Sequence, residues 1–285
     1  MYFIFGVFRV FQTCCRVPAN LSSVLPLLLG LMLIKNVAYA QEVDSSYPPR
    51  LDVPFVTTPD SSVDRMLELA QVTPDDTVLD LGSGDGRIAI AAVRDWGAQR
   101  AVGVEIDPLL IRTARTQAQI EGVADRVTFI QGDLFEQDLS EASVLTLFLL
   151  QSINNRLRPV ILDTMTPGSR VVSHVFHMED WEPDAFDSYR NLYLWVVPAA
   201  VSGNWTLQGL EDDIHLVLEQ RFQLIEGYAV VNGSWLPLQQ PTLQGSEIRF
   251  GIDNTLFVGR VDGDRIRAAQ GSALNGWQAI RGSHE

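Results

Sequence analysis

The spacing of apolar positions changes character several times along the chain, and each change marks a different kind of structure. Residues 24–34 (VLPLLLGLMLI) form an unbroken apolar run, preceded by Arg9 and Arg16 and followed by Ala38-Tyr39-Ala40. A basic start, a short apolar stretch and a small-x-small triplet form the pattern of a secretory signal peptide. The run falls short of the ~20 residues that span a bilayer. Residues 1–40 are therefore expected to be a signal peptide or N-terminal anchor, which makes the protein exported (periplasmic or secreted) or membrane-anchored. A cytoplasmic location follows instead if the start is over-extended. Residues 41–53 (QEVDSSYPPRLDV) are polar, contain Pro48-Pro49 and read as a linker.

From residue 58 helical and strand periods alternate. Residues 61–70 predict a helix with Met66, Leu67 and Leu69 as apolar positions and Asp60 or Ser61 as cap. Apolar runs at 77–81, 101–105, 127–130, 144–150 and 170–176 predict five strands. Helices are expected between them at 86–96, at 108–121 with Pro108 in the first turn, and at 158–165 before Pro167-Gly168. This alternation predicts a parallel sheet with right-handed crossovers.

Beyond the acidic loop at 177–187 the helical period vanishes. Eight short β-like runs, from 192–197 to 265–268, are separated by turns such as Asn232-Gly233 and Asp262-Gly263. They predict a small antiparallel barrel or sandwich, of which the first one or two strands could instead complete the edge of the α/β sheet. The expected fold class is thus α/β, a Rossmann-like sheet at 54–190 followed by a β-rich domain at 191–285. Burial of Trp205, Trp235 and Trp277 together would mark a plain barrel core, whereas an open groove would mark a binding module.

Composition adds three constraints. The 285 residues carry 21 basic and 35 acidic side chains, a net charge of −14, and the first forty hold no acid. Such a surface repels phosphate backbones and argues against nucleic acid as partner. A membrane partner is expected only through the N-terminal segment, if that is uncleaved. Lys35 is the chain's one lysine, and the two cysteines, Cys14 and Cys15, both lie in the leader. A chain cleaved after Ala40 has neither disulfide nor thiolate chemistry.

The chemistry-bearing stretch is VLDLGSGDGRIAI at 78–90. Gly82, Gly84 and Gly86, with Ser83 between them, sit between a predicted strand and helix, where glycine lets the backbone turn tightly and approach a ligand. A dinucleotide site requires a further glycine where Arg87 stands. Glu105 ends the second strand, placed to accept both hydroxyls of a ribose. Asp133 follows the third, placed to accept from an adenine amino group. With Asp80 and Asp85 flanking the loop, the acids suit a ligand bearing an ammonium and a sulfonium better than a pyrophosphate. S-adenosyl-L-methionine (SAM) or a close relative is the ligand expected.

The segments DLGSGDGRIAIAA, GVEIDP and ADRVTFIQGDLFE resemble the core of class I SAM-dependent methyltransferases. Pro54-Phe55-Val56-Thr57-Thr58-Pro59, Arg156-Leu157-Arg158-Pro159 and Ser173-His174 resemble bacterial relatives of the mitochondrial-type protein-lysine methyltransferases. The resemblance spans about residues 54–184. It implies SAM contacts from Asp80, Gly82, Gly84, Gly86, Glu105 and Asp133, and closure of Pro54, Phe55 and Thr57 over the methionine end and substrate entrance. It also implies a methyl acceptor that could be a protein lysine. The chain departs from the family pattern at Thr57, Val175 and His177.

No Asn/Asp-Pro-Pro-aromatic motif follows the fourth strand, so the amide and base N-methylation signature is missing. Phe148 and His174 are the catalytic candidates: Phe148 as a wall of the acceptor pocket or as core, His174 as a proton acceptor or a structural group. His174 and His177 lack the helical spacing of a zinc site, and no metal is expected. Two functions follow. One is an enzyme transferring methyl from SAM to an unidentified acceptor. The other is an exported binding protein for a nucleoside or SAM-type ligand, without turnover and with the β domain as partner-binding module.

Overall fold

The computed structural model describes residues 56–212 and 214–282. The expected leader and linker, and Pro54 and Phe55, lie outside these residues.

Five parallel strands form the centre of the first sheet: β1 (Thr77–Leu81), β2 (Arg100–Glu105), β3 (Val127–Gln131), β4 (Val144–Leu147) and β5 (Arg170–His174). The central strands β1, β4 and β5 are apolar runs buried on both faces, as a parallel sheet between helices requires, whereas β3, at the edge, alternates between buried and exposed positions. The helices are α1 (Asp60–Leu69), α2 (Arg87–Arg94), α3 (Pro108–Ile120) and α4 (Gln151–Thr164). Asp107 caps α3 by accepting from Leu109 N at 2.7 Å, with Pro108 as its first residue.

The strand order is β3-β2-β1-β4-β5, continued by two short strands, β7 (Leu192–Val196) and β6 (Ala185–Asp187). β7 runs antiparallel to β5, with Ser173 opposite Tyr193. The order reverses beside β1, and a crevice opens there at the carboxyl ends of the strands.

The second sheet holds nine antiparallel strands, β8 (Gly203–Gln208) to β16 (Gln278–Arg281), ordered β11-β10-β9-β8-β16-β15-β14-β13-β12. It curls into a nearly closed barrel whose edge strands, β11 and β12, are joined at Leu238, and Leu238 N donates to Gly227 O at 3.0 Å to continue the β10–β11 ladder. Trp205, Trp277, Phe250 and Phe257 fill its interior. Trp235 does not join them. It is 66% exposed and stacks on Tyr228, ring centroids 4.3 Å apart.

Several boundaries differ from expectation, each for a local reason. The boundary expected at 190/191 falls inside the first sheet, because β7 pairs along the whole of β5; the passage to the barrel lies at about residues 197–202. α4 begins seven residues earlier than Arg158. Its first turns carry Ser152, Asn154 and Asn155, residues weak as helix signals, and it contains Pro159, which donates no hydrogen bond. β5 stops at His174 because Val175 turns to φ 71° and donates its N–H to Asn191 O. Two barrel strands went unanticipated. β12 (Gln239–Gln244) is polar and contains Pro241, and lies at the sheet edge where proline is tolerated. β16 is four residues long. Among the described residues no helix is long and apolar enough to cross a membrane.

Candidate active site

β1 carries Asp80 to the crevice, and the chain turns through residues 82–86 into α2. Gly82 and Gly86 adopt φ 75° and 83°, the left-handed region that favours glycine. A Cβ on Gly86 would stand 2.5 Å from the Phe129 ring, and one on Gly103 2.6 Å from it. The ring thus fits against two bare backbones, one in the loop and one in β2, and presses the loop onto the sheet. Gly103 carries no signal in the sequence, since a lone glycine in a strand does not announce what approaches it. The N–H groups of Gly82 and Ser83 both donate to Val104 O at 2.9 Å.

The resulting cleft is lined by Thr57, Thr58, Asp80, Gly82, Ser83, Gly84, Glu105, Asp133 and Phe148, with Ile106, Leu110, Leu134 and Phe135 as its apolar wall. Asp80 is buried, and its Oδ1 accepts from Thr146 Oγ1 at 2.8 Å. Its Oδ2 has no protein partner, and neither has the buried Ser83 hydroxyl. Burial pushes the Asp80 carboxyl up to about 7, against the lowering effect of Thr146 and assisted by the nearby Glu105 and Asp85 carboxylates.

Glu105 is already partly engaged. Oε1 accepts from Ile106 N and Asp107 N at 2.8 and 3.0 Å, and Oε2 from Gly84 N at 3.0 Å. Two donors fill the lone pairs of Oε1, so the remaining capacity for a ribose diol is on Oε2. Asp133 accepts from Phe135 N at 2.9 Å, capping the short turn Leu134–Glu136, and stands exposed at the rim.

Asp85 is not a free acid. Arg87 grips it with a two-pronged pair, Nε to Oδ1 at 3.0 Å and Nη2 to Oδ2 at 2.6 Å. The same guanidinium donates through Nη1 to Thr58 O at 2.9 Å and lies 3.5 Å from Asp60. In the sequence Arg87 serves only to break the dinucleotide pattern. In the structure it ties the segment before α1 to the loop after β1. An arginine two residues from an aspartate is a common surface pair, and nothing local points to Thr58.

Phe148 is half-buried and lines the cleft rather than the core. Its ring meets that of His174 at 4.4 Å and 46°. His174 sits one ring behind the cleft wall, with its Nδ1 buried and unpartnered, and burial lowers its pKa, favouring the neutral ring. His177 is exposed and accepts from Glu179 N. Among the described residues no three His, Cys, Asp or Glu side chains converge as a metal site.

The cleft fits SAM. Two orphaned buried polar atoms sit beside a glycine turn, a carboxylate oxygen with spare capacity ends β2, and a rim acid stands over an apolar wall. An ammonium or sulfonium beside Asp80 would supply the cation its carboxylate lacks. Fold and cleft together define a class I SAM-dependent methyltransferase.

Comparison with known proteins names the family. The ANTKMT methyltransferase domain matches residues 80–185. Over 138 residues the chain is 48% identical to a protein-lysine N-methyltransferase of Saccharolobus islandicus (strain REY15A), covering 48% of this chain and 84% of that one. Over 156 residues it is 33% identical to the adenine nucleotide translocase lysine N-methyltransferase of Mus musculus, covering 55% and 67%. A crystal structure of an RNA methyltransferase from Salinibacter ruber with S-adenosyl-L-homocysteine is 53% identical, covers 51% of this chain and 96% of that one, and has a TM-score of 0.50. The chain belongs to the ANTKMT methyltransferase family and is a SAM-dependent methyltransferase. The family match ends at residue 185, before the barrel begins.

Proposed function

We propose that the chain transfers methyl from SAM to a lysine side chain of a protein. The observation that carries this reading is a cleft ringed by carboxylates and walled at its acceptor end by the Phe148 ring, on a chain of net charge −14. A lysine approaches such a cleft favourably and a polyphosphate does not. The names of the archaeal and mouse relatives support it; the name of the solved bacterial relative supports RNA instead.

SAM supplies a methyl group on a sulfonium, ready for in-line displacement. Of this chain's residues, Asp80 and Ser83 would hold the methionine end, Glu105 Oε2 the ribose and Asp133 the adenine amino group. Phe148 would form the wall along which the acceptor nitrogen enters, held by the His174 ring behind it. As the new N–C bond forms and the S–C bond breaks, the acceptor nitrogen must already have given up a proton. Alignment and loss of that proton to solvent suffice, and no residue need act as base. The leader pattern at residues 1–40 supports export or anchoring, and fusing it to a compartment reporter tests that.

The full chain with methyl-tritiated SAM and separated protein and RNA fractions of a bacterial lysate tests the acceptor. Label is expected in protein, released on acid hydrolysis as methyl-lysine. Label in RNA alone would overturn the reading. Lys35 is the only lysine of the chain, so self-labelling on lysine is confined to one position.

A further inference from the structure

The loop between β5 and β6 starts one ring behind the cleft wall, because β5 ends in His174, whose ring packs on that of Phe148. This loop is strained. Val175 and Glu179 sit at φ 71° and 52°, a region unfavourable for any side chain and most of all for a β-branched one. Contacts from outside must hold it there.

They come from three sides. Within the first sheet, Val175 N donates to Asn191 O at 2.7 Å and Trp195 Nε1 to Trp181 O at 2.8 Å. From α4, Gln151 donates to His177 O at 2.6 Å, Asn154 to Phe176 O at 3.1 Å, and Arg158 to Met178 O at 2.9 Å. From the barrel, the turn joining β9 (Ile214–Arg221) to β10 (Leu224–Val231) reaches the same loop. Gln223 accepts from Trp181 Nε1 at 2.9 Å and donates to Glu182 O at 2.7 Å. The Phe222 ring stacks on that of the fully buried Trp181, centroids 5.8 Å apart and 20° between planes, and Arg221 pairs with Asp180 at 3.0 Å.

We propose that the barrel is a brace for methyl transfer: its β9–β10 turn holds the loop after β5, behind the acceptor-side wall of the cleft, in a conformation that the methyltransferase sheet alone does not hold. Phe222 and Gln223 are positioning residues, since neither lines the cofactor cleft. The inference rests on the reading of that wall as the acceptor side. It gives the barrel a role inside the enzyme.

Two variants of the full chain test it, Gln223→Ala and Phe222→Gly. Phe222 has φ 54°, so glycine removes the ring while suiting the backbone. Hydrogen exchange in residues 175–182 is expected to quicken by about tenfold or more in both, with residues 82–86 unchanged. Calorimetric affinity for SAM should stay within about twofold of wild type while the rate of label transfer into lysate protein at saturating SAM falls about tenfold. Unchanged exchange in the loop, or SAM affinity falling in step with it, would overturn the brace. Exchange and calorimetry decide this even if the wild-type chain labels no protein, an outcome that counts against lysine methylation instead.

Discussion

Asp80 shows how a single buried group ties the cofactor to pH. Its carboxyl is pushed up to about 7, mainly by burial. The folded chain therefore keeps a proton that the unfolded chain releases near pH 4. Stability present below pH 4 is lost as pH rises towards 7, with a slope of at most about 1.4 kcal/mol per pH unit. Asp80→Asn should remove that slope in urea unfolding curves recorded from pH 4 to 8. A cationic ligand favours the ionised carboxylate, so wild-type affinity for SAM should gain from ionisation of Asp80 as pH rises through 7, by up to about tenfold per unit. Calorimetry should show this gain absent from Asp80→Asn, and the same gain in the variant would refute the assignment. Gly86 carries a mechanical prediction. At φ 83°, with Phe129 2.5 Å from any Cβ, Gly86→Ala should lose about 2–4 kcal/mol of stability by chemical denaturation. These residues were legible in the sequence because an acid or glycine at the end of an apolar run has few other reasons to be there. Gly103, the Phe129 that fills the space above it, and the packing of His174 on Phe148 were not, because each depends on a neighbour distant in sequence.

At the scale of elements, the loop after β1 and the segment before α1 meet through one side chain. Arg87 spans Asp85, Thr58 O and Asp60. Lysine keeps the charge but cannot make the fork. Arg87→Lys and Arg87→Ala should both weaken SAM binding, by about tenfold for alanine. Limited proteolysis of residues 56–59 should accelerate in both, and a lysine variant as resistant as wild type would show that charge alone suffices. The period of the sequence placed the five central strands and the first three helices within a few residues. It missed the start of α4, whose first turn is polar because Gln151 and Asn154 hold the carbonyls of the loop after β5. It carried β5 too far, since a valine in the left-handed region breaks a strand that its apolarity appeared to extend.

The whole molecule couples the sheet to the barrel through residues 197–202. Gln220, on β9, accepts from Val201 N and Ser202 N and donates to Ala199 O and Phe222 O. Gln220→Ala would leave partly buried backbone groups without partners and should cost about 2–3 kcal/mol. If the barrel braces the enzyme, sheet and barrel should still unfold in one transition, followed by near-UV circular dichroism. A second transition in Gln220→Ala would show that this side chain joins them.

The sequence by itself determined the class of protein, because strand ends, glycine spacing and acids at three successive strand termini are local patterns, gathered at one end of a sheet whose topology follows from alternation. It also determined that a β-rich module follows, since period-two runs and Gly turns are local as well. Only the tertiary structure decided what that module touches. The contact between Trp181 and Gln223 joins residues 42 positions apart, and Arg87 reaches Thr58 across 29. Such contacts are set by how packed surfaces meet, and no period in the chain encodes them.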